Sequence, residues 1–406
     1  MRCPALETPV SDPWLTDWLN LLARWFHLIV GAGWIGTSFY FNWLNNNVRP
    51  VADDENPGGR LAGALWSVHG GAFYRIQKFK GAPETLPRTL HWFKWESYLT
   101  WISGVSLLIL VYWLRADTMM VAPGSELSPG VTAGIGVGSL VVGWVVYDLL
   151  CRSPLVRYPK VLAALGFALM TAAAFGLSQV FSARAAYIHV GAMMGTMMAL
   201  NVFFVIIPGQ KAMVDAMSRG EEPDVSKGKA GSLRSLHNNY FTLPVLFIMI
   251  SNHFPFTYGH ELGWAVLAGL AIIGAATRHW FNLSGRGEKN VWILPAATVA
   301  MCALAFVSHG PREVVAGAEA PSFAEVQSVI EARCVTCHAD APTWAGMQAN
   351  PKGVNLETAD EIVRNAQAIK AQAVTSQVMP LANVTKITPE ERALLGAWVD
   401  AGAPTD

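Results

Sequence analysis

Residues 334–338 read Cys-Val-Thr-Cys-His. Two thiols at this spacing bond both vinyl groups of a haem while the adjacent imidazole reaches iron, so the run is a c-type haem attachment motif. A zinc half-site would need a second cysteine or histidine pair, and nothing after His338 supplies one. A redox dithiol would sit between a strand and a helix, a context absent here. The sixth iron ligand is expected later in the same segment. Met379, in VMPLANV, precedes Pro380, which stiffens the loop that presents the sulfur. Met347 is the alternative, its ordinary role being packing close to the attachment site. A His338/Met379 pair raises the potential and suits the segment to receiving electrons.

The elements that must position such a group belong to a membrane. Of 406 residues, 52% are hydrophobic and only 14% charged, against roughly 25% charged in soluble domains. The formal net charge of zero leaves no electrostatic case for nucleic-acid binding. The remaining cysteines, Cys3, Cys151 and Cys302, form no disulfide scaffold with Cys334 and Cys337. The N-terminal MRCPALETPVSDP lacks the basic start and apolar run of a signal peptide, so the first span is expected to direct insertion.

Apolar runs near 16–44, 94–115, 130–150, 160–181, 184–208, 233–253, 260–282 and 291–309 predict eight helices long enough for a ~30 Å hydrocarbon layer. Short links such as Ser182–Ala183 favour an up-and-down bundle. The fold expected is therefore all-α: an eight-helix bundle over 1–311, a small, Pro-containing linker over 312–322, and a small helical domain over 323–406. That last domain should close on a helix with Thr388 as N-cap, Pro389 in the first turn and Glu391 three residues after the cap.

Loop charges orient the bundle. One side receives Arg49, Arg60, Arg75, Lys78, Lys80, Arg88, Lys94, Arg152, Arg157, Lys160, Lys211, Arg219, Lys227, Lys229, Arg234, Arg286 and Lys289; the other has little beyond Arg2, Arg115, Arg184 and Arg312. The basic side is thereby assigned to the cytoplasm, and an even number of spans puts both termini in the periplasm of a bacterial inner membrane. Haem of the c type is attached on that outer side, in agreement.

A charged residue at the centre of a span costs roughly 2.5–3.5 kcal/mol on insertion scales, so polar positions there need a reason. The histidines sort into an outer layer, His27, His189, His253, His260 and His309, and an inner layer, His69, His91, His237 and His279. For His260, His309 and His69 an interfacial place suffices. His27, His189 and His253 outside, and His91, His237 and His279 inside, are candidate ligands for a b-type haem or another metal, the alternatives being substrate contacts or packing. Arg24 lies one turn before His27 and either snorkels or clamps an anion; Arg278 beside His279 poses the same choice. Arg24, His69, His91 and Arg278 are accordingly the candidates for catalysis. Most tryptophans near span ends are interface anchors, and the clustered glycines near 31–36 and 134–138 allow close helix approach.

The segments GALWSVHGGAFYRIQKF (63–79), LHWFKWESYLTWISG (90–104), SLHNNYFTLPVLFIMISNHFPF (235–256) and RHWFN (278–282) resemble those of the membrane-bound bacterial urate hydroxylases. In these an integral-membrane urate oxidase region is fused to a C-terminal cytochrome c, and the resemblance runs over the whole chain. It implies oxidation of urate to 5-hydroxyisourate, with water as the oxygen source. Electrons would leave through the covalent haem to a respiratory acceptor, a soluble cytochrome c or a terminal oxidase. Two rivals are a membrane dehydrogenase for another small substrate or a quinol, and a membrane-anchored cytochrome that only relays electrons. The many polar positions inside the spans disfavour the second, since one apolar helix would suffice as an anchor.

Overall fold

A computed structural model describes residues 13–308 and 321–405, apart from 82, 84, 85, 123, 345, 346 and 348. Cys3, Arg2, His309 and the expected linker up to residue 320, Arg312 included, lie outside the described residues.

Helix occupies each of the eight apolar runs. They are α1 (Pro13–Asn47), α2 (Trp95–Leu107, continued as a π-helical turn over Leu108–Trp113), α3 (Pro129–Arg152), α4 (Pro159–Ser178), α5 (Ala183–Ser218), α6 (Val225–Ile250), α7 (Gly263–Gly285) and α8 (Ile293–Val307). Four of them, α3, α4, α5 and α7, are long and apolar enough to cross a membrane. The rest carry polar residues or are shorter, as in the 15-residue α8. Local chemistry sets the starts: Ser128 caps α3 ahead of Pro129, Ser182 caps α5, and the Asp224 carboxylate accepts from Ser226 N–H at the start of α6.

Helix α5 is the axis of the bundle. Its apolar window is 61% buried, against 17% for α3, α4 and α7. Around its own Tyr187, Val190 and Met193 pack Leu140, Ala174, Leu177 and Ile248. Outward positions such as Val141, Val142, Leu149, Val299 and Phe306 are exposed, as a lipid-facing surface requires.

The all-α expectation is corrected at one place. Leu61–His69 and Ala72–Phe79 form an antiparallel hairpin, β1 and β2, around Gly70 and Gly71. Both glycines have positive φ, 59° and 80°, which a two-residue hairpin turn of this kind demands.

Residues 321–405 have a separate core of Val326, Ile330, Leu356, Ile362, Leu395 and Trp398. Helices α9 (Phe323–Arg333), α10 (Ala359–Arg364) and α11 (Pro389–Asp400) surround it. Each begins with a reciprocal capping box, Ser322/Glu325, Thr358/Glu361 and Thr388/Glu391. The last matches the cap expected from the sequence.

Candidate functional site

Cys334 and Cys337 follow α9 at once, both as free thiols. The turn is tight: Cys337 and His338 N–H both donate to the Cys334 carbonyl, at 3.1 and 2.9 Å. Burial pushes the Cys334 thiol up to about 12, with the adjacent Cys337 adding to the rise, and burial raises Cys337 as well. Both therefore stay protonated at neutral pH. His338 uses Nδ1 for the Val354 carbonyl at 3.0 Å, which fixes the ring and leaves Nε2 for a metal. The Met379 loop is held by buried Arg392, which donates to the Met379 carbonyl at 2.8 Å and to that of Ala373. Two thiols, a ring fixed at Nδ1 and a thioether on a tethered loop fit a covalent haem. Met347 lies in a loop whose neighbours 345, 346 and 348 are outside the described residues.

The same loop rests on one end of the bundle. Val378 packs against the bundle core. Gln377, Val378 and Leu381 face Thr118, Met119, Val121, Ser182 and Arg184 across a small cleft. The π-helical turn Lys370–Thr375 packs on the short helix Pro255–Tyr258. At Gly259 a Cβ would lie 2.3 Å from the Ser376 Cβ and 2.4 Å from its Cα, so only glycine permits this approach.

Beneath that roof Tyr112, at the π-helical end of α2, is a hub. Asn252 donates to its hydroxyl at 3.4 Å. The charges of Arg184 and Arg24 and the hydroxyl of Tyr258 are within its electrostatic reach. Arg184 is positioned by the α5 cap, where Ser182 is tied to the Met119 and Met120 carbonyls at 2.9 and 2.7 Å. Arg24 bonds Asn20 on its own helix at 2.6 Å. Of these residues the sequence reasoning singled out Arg24 alone.

At the opposite end a second polar group is closed on itself. Buried Arg234 pairs with Asp148 at 2.6 Å and donates to Asn201 at 3.2 Å. Asn201 in turn donates to the Tyr147 hydroxyl (2.9 Å) and to Asn238 (2.8 Å). His237 Nδ1 meets the Tyr147 hydroxyl at 2.9 Å. Nearby, Arg278 stands 4.0 Å over the Phe39 ring and donates to Asn239, which donates to Asn282 at 3.0 Å. His279 Nδ1 meets the Tyr240 hydroxyl at 2.6 Å.

The histidines of the two layers differ in what their rings already bond. His189, fully buried, donates through Nδ1 to the Ala185 carbonyl (2.8 Å) and accepts at Nε2 from the Trp113 indole (3.1 Å), so neither nitrogen is left for iron. His27 bonds Ser103 at 2.9 Å and sits against Gly104, at the α1–α2 contact. His253 is exposed in a turn after α6, His69 is exposed at the hairpin turn, and His91 is exposed with its ring edge-on to Phe93. Among the described residues no three His, Cys, Asp or Glu side chains gather as a metal site. His189 is thus engaged at both ring nitrogens, whereas His237 and His279 are bonded through Nδ1 and, among the described residues, keep Nε2 free.

No curated protein and no solved structure matches the chain. A family model described as urate oxidase N-terminal matches residues 13–309, all eight bundle helices and the hairpin included. With most of its length inside that match, the chain belongs to the urate oxidase N-terminal family.

Proposed function

We propose that the chain is a membrane-bound urate hydroxylase that passes electrons to a covalent c-type haem on its C-terminal domain, residues 323–406. The observation that carries this is a juxtaposition. The loop bearing Met379 is seated on a bundle whose family is named for urate oxidation. Urate and water give 5-hydroxyisourate, two electrons and two protons, the water oxygen forming the new bond to carbon. Cys334, Cys337 and His338, with Met379, would hold the haem, which would supply a one-electron acceptor.

The chain's own residues do the rest. His338 is oriented by Val354, and Arg392 fixes the loop that presents the thioether. The cleft beneath that loop carries the guanidinium of Arg184, to which an anionic substrate is drawn. All eight helices cross the inner membrane, with the basic loops cytoplasmic and both termini periplasmic. The final acceptor is a respiratory cytochrome c or oxidase.

The test is anaerobic titration of the detergent-purified, oxidised protein. One urate should reduce two haems, whereas xanthine, which lacks the 8-oxo group, should reduce none. A spectrum unmoved by urate refutes the reading.

A further inference from the structure

Seven buried side-chain atoms among the described residues lack a hydrogen-bond partner, and four of them gather between the Met379 loop and the bundle. They are Arg184 Nε, Asn252 Oδ1, the Tyr258 hydroxyl and Gln372 Oε1. Asn252 donates to the Tyr112 hydroxyl at 3.4 Å, Arg184 opens on the cleft beneath Gln377, Val378 and Leu381, and Tyr258 ends the short helix on which the Lys370–Thr375 turn packs. Gln372 lies in the π-helical turn that packs on the helix carrying Tyr258. Tyr258 itself is only 2% exposed. Each such atom left bare costs about 1–3 kcal/mol, so a cluster of them marks a place where something else binds. Both Tyr112 and Gln372 stand in π-helical turns, a rare conformation that recurs at functional sites.

The chemistry of the orphans selects the ligand. Arg184 and Arg24 make no ion pair with any described carboxylate, so the site favours an anion. A simple carboxylate, a haem propionate included, has acceptors only. It would satisfy the Arg184 N–H and the Tyr258 hydroxyl but leave the oxygens of Asn252 and Gln372 bare. A planar oxopurine anion has carbonyl oxygens and ring N–H groups on the same edges, and answers both kinds of orphan.

We infer that the polar region between the Met379 loop and the bundle end, which holds Arg184, Asn252, Tyr258, Tyr112 and Gln372, is the urate-binding site, roofed by the haem domain. The inference rests on the urate hydroxylase reading above. It makes the substrate site an interdomain one, with Gln372 contributed by the cytochrome domain. Arg184 and Asn252 are then the groups that separate an oxopurine anion from a simple carboxylate.

The test measures binding without turnover. Full-length holoprotein is reduced with dithionite under anaerobic conditions, and radiolabelled urate is followed by equilibrium dialysis. The wild type should bind one urate per chain. Arg184→Gln and Asn252→Leu should bind at least tenfold more weakly, and Tyr258→Phe, which removes one oxygen and spares the fold, several-fold more weakly. The haem spectrum of each variant should match the wild type. Wild-type binding and haem reduction by urate, with Asn252→Leu and Tyr258→Phe binding as wild type, would overturn this site and leave the hydroxylase reading standing. So would an unchanged urate affinity in Arg184→Gln together with a shifted haem potential, the mark of a propionate clamp. Loss of binding in Arg278→Gln but not in Arg184→Gln would move the site to the other end. Failure of urate to reduce the wild-type haem would instead defeat the hydroxylase reading itself.

Discussion

The two ends of the bundle hold similar polar residues and treat them differently. At the end with basic loops, Arg234, Asp148, Asn201, Tyr147, Asn238 and His237 satisfy one another through bonds of 2.6–3.2 Å. At the end under the Met379 loop, Arg184, Asn252 and Tyr258 each keep a buried atom unpaired, whereas the unpaired atoms of the basic end, Glu96 Oε2 and Asn282 Nδ2, stand outside that closed network. A closed network rigidifies and asks for nothing further. An open one is stable only with a partner. Intramembrane polarity alone therefore does not mark a site; a group of unsatisfied atoms at a domain contact does.

The largest effect is expected on the open side. Replacing Cys334 and Cys337 together by alanine should abolish haem peroxidase staining of the denatured, SDS-separated chain, because no thioether can form. Staining that survives would remove the c-type assignment and with it the meaning of the roof.

On the closed side, Arg234→Gln should cost stability and leave the open end alone. Breaking a buried pair costs roughly 3–5 kcal/mol. Arg152 also holds Asp148, at 2.6 Å, so about 3 kcal/mol is expected, read from unfolding in detergent. Urate affinity per folded molecule should not move. A variant that stays stable but loses urate would make the closed end a site and undo the contrast.

How far the sequence foretold this contrast depends on distance along the chain. Helix over each apolar run was legible because apolarity is a local property, although only four of the helices are long and apolar enough to cross a membrane. The Thr388/Glu391 cap was legible for the same reason. The hairpin was missed although its signals are local: Gly70–Gly71 between the alternating runs ALWSV and FYRIQ. The histidine partners were not legible, since Trp113 meets His189 across 76 positions and Tyr147 meets His237 across 90. Arg184 was visible only as one of the few basic residues opposite the cytoplasmic loops. Asn252, Tyr258 and Gln372 carried no local signal at all, because what distinguishes them is the lack of a partner in three dimensions.

Two changes probe the roof. Met379→His should lower the haem potential on the order of 0.1 V, within the ~0.8 V range that axial ligands span. An unchanged potential would transfer the sixth ligand to Met347. Gly259→Ala sets a methyl group against the Ser376 backbone, which cannot yield as a flexible side chain would. The domain must then lift from the bundle end. Reduction of the haem by urate should slow about tenfold while haem content stays constant, since misplacing reacting partners by an ångström costs that much or more. An unaltered rate would show that the docking seen here is not the electron-transferring one.

The smallest effect compares one kind of ion pair in two settings. Arg234–Asp148 in the bundle is 3% and 15% exposed, whereas Arg333–Glu391 in the C-terminal domain, at 2.9 Å, is 27% and 23% exposed. Hydrogen bonding to Arg333 holds the Glu391 carboxyl below its ordinary value of 4.5. A carboxylate whose pKa is depressed by folding stabilises the native state above its unfolded value and loses that contribution as pH falls through the folded one. Glu391→Gln keeps a group able to complete the capping box with Thr388 and removes only the charge. At neutral pH it should lower the thermal midpoint of the domain by about 2 °C, the size expected of a solvent-screened pair. The gap between variant and wild type should narrow below the ordinary carboxylate range and vanish in stronger acid. A gap that persists there would mean that Glu391 acts by packing or capping rather than by charge. A gap as large as that of Arg234→Gln would mean that burial is not what separates the two pairs.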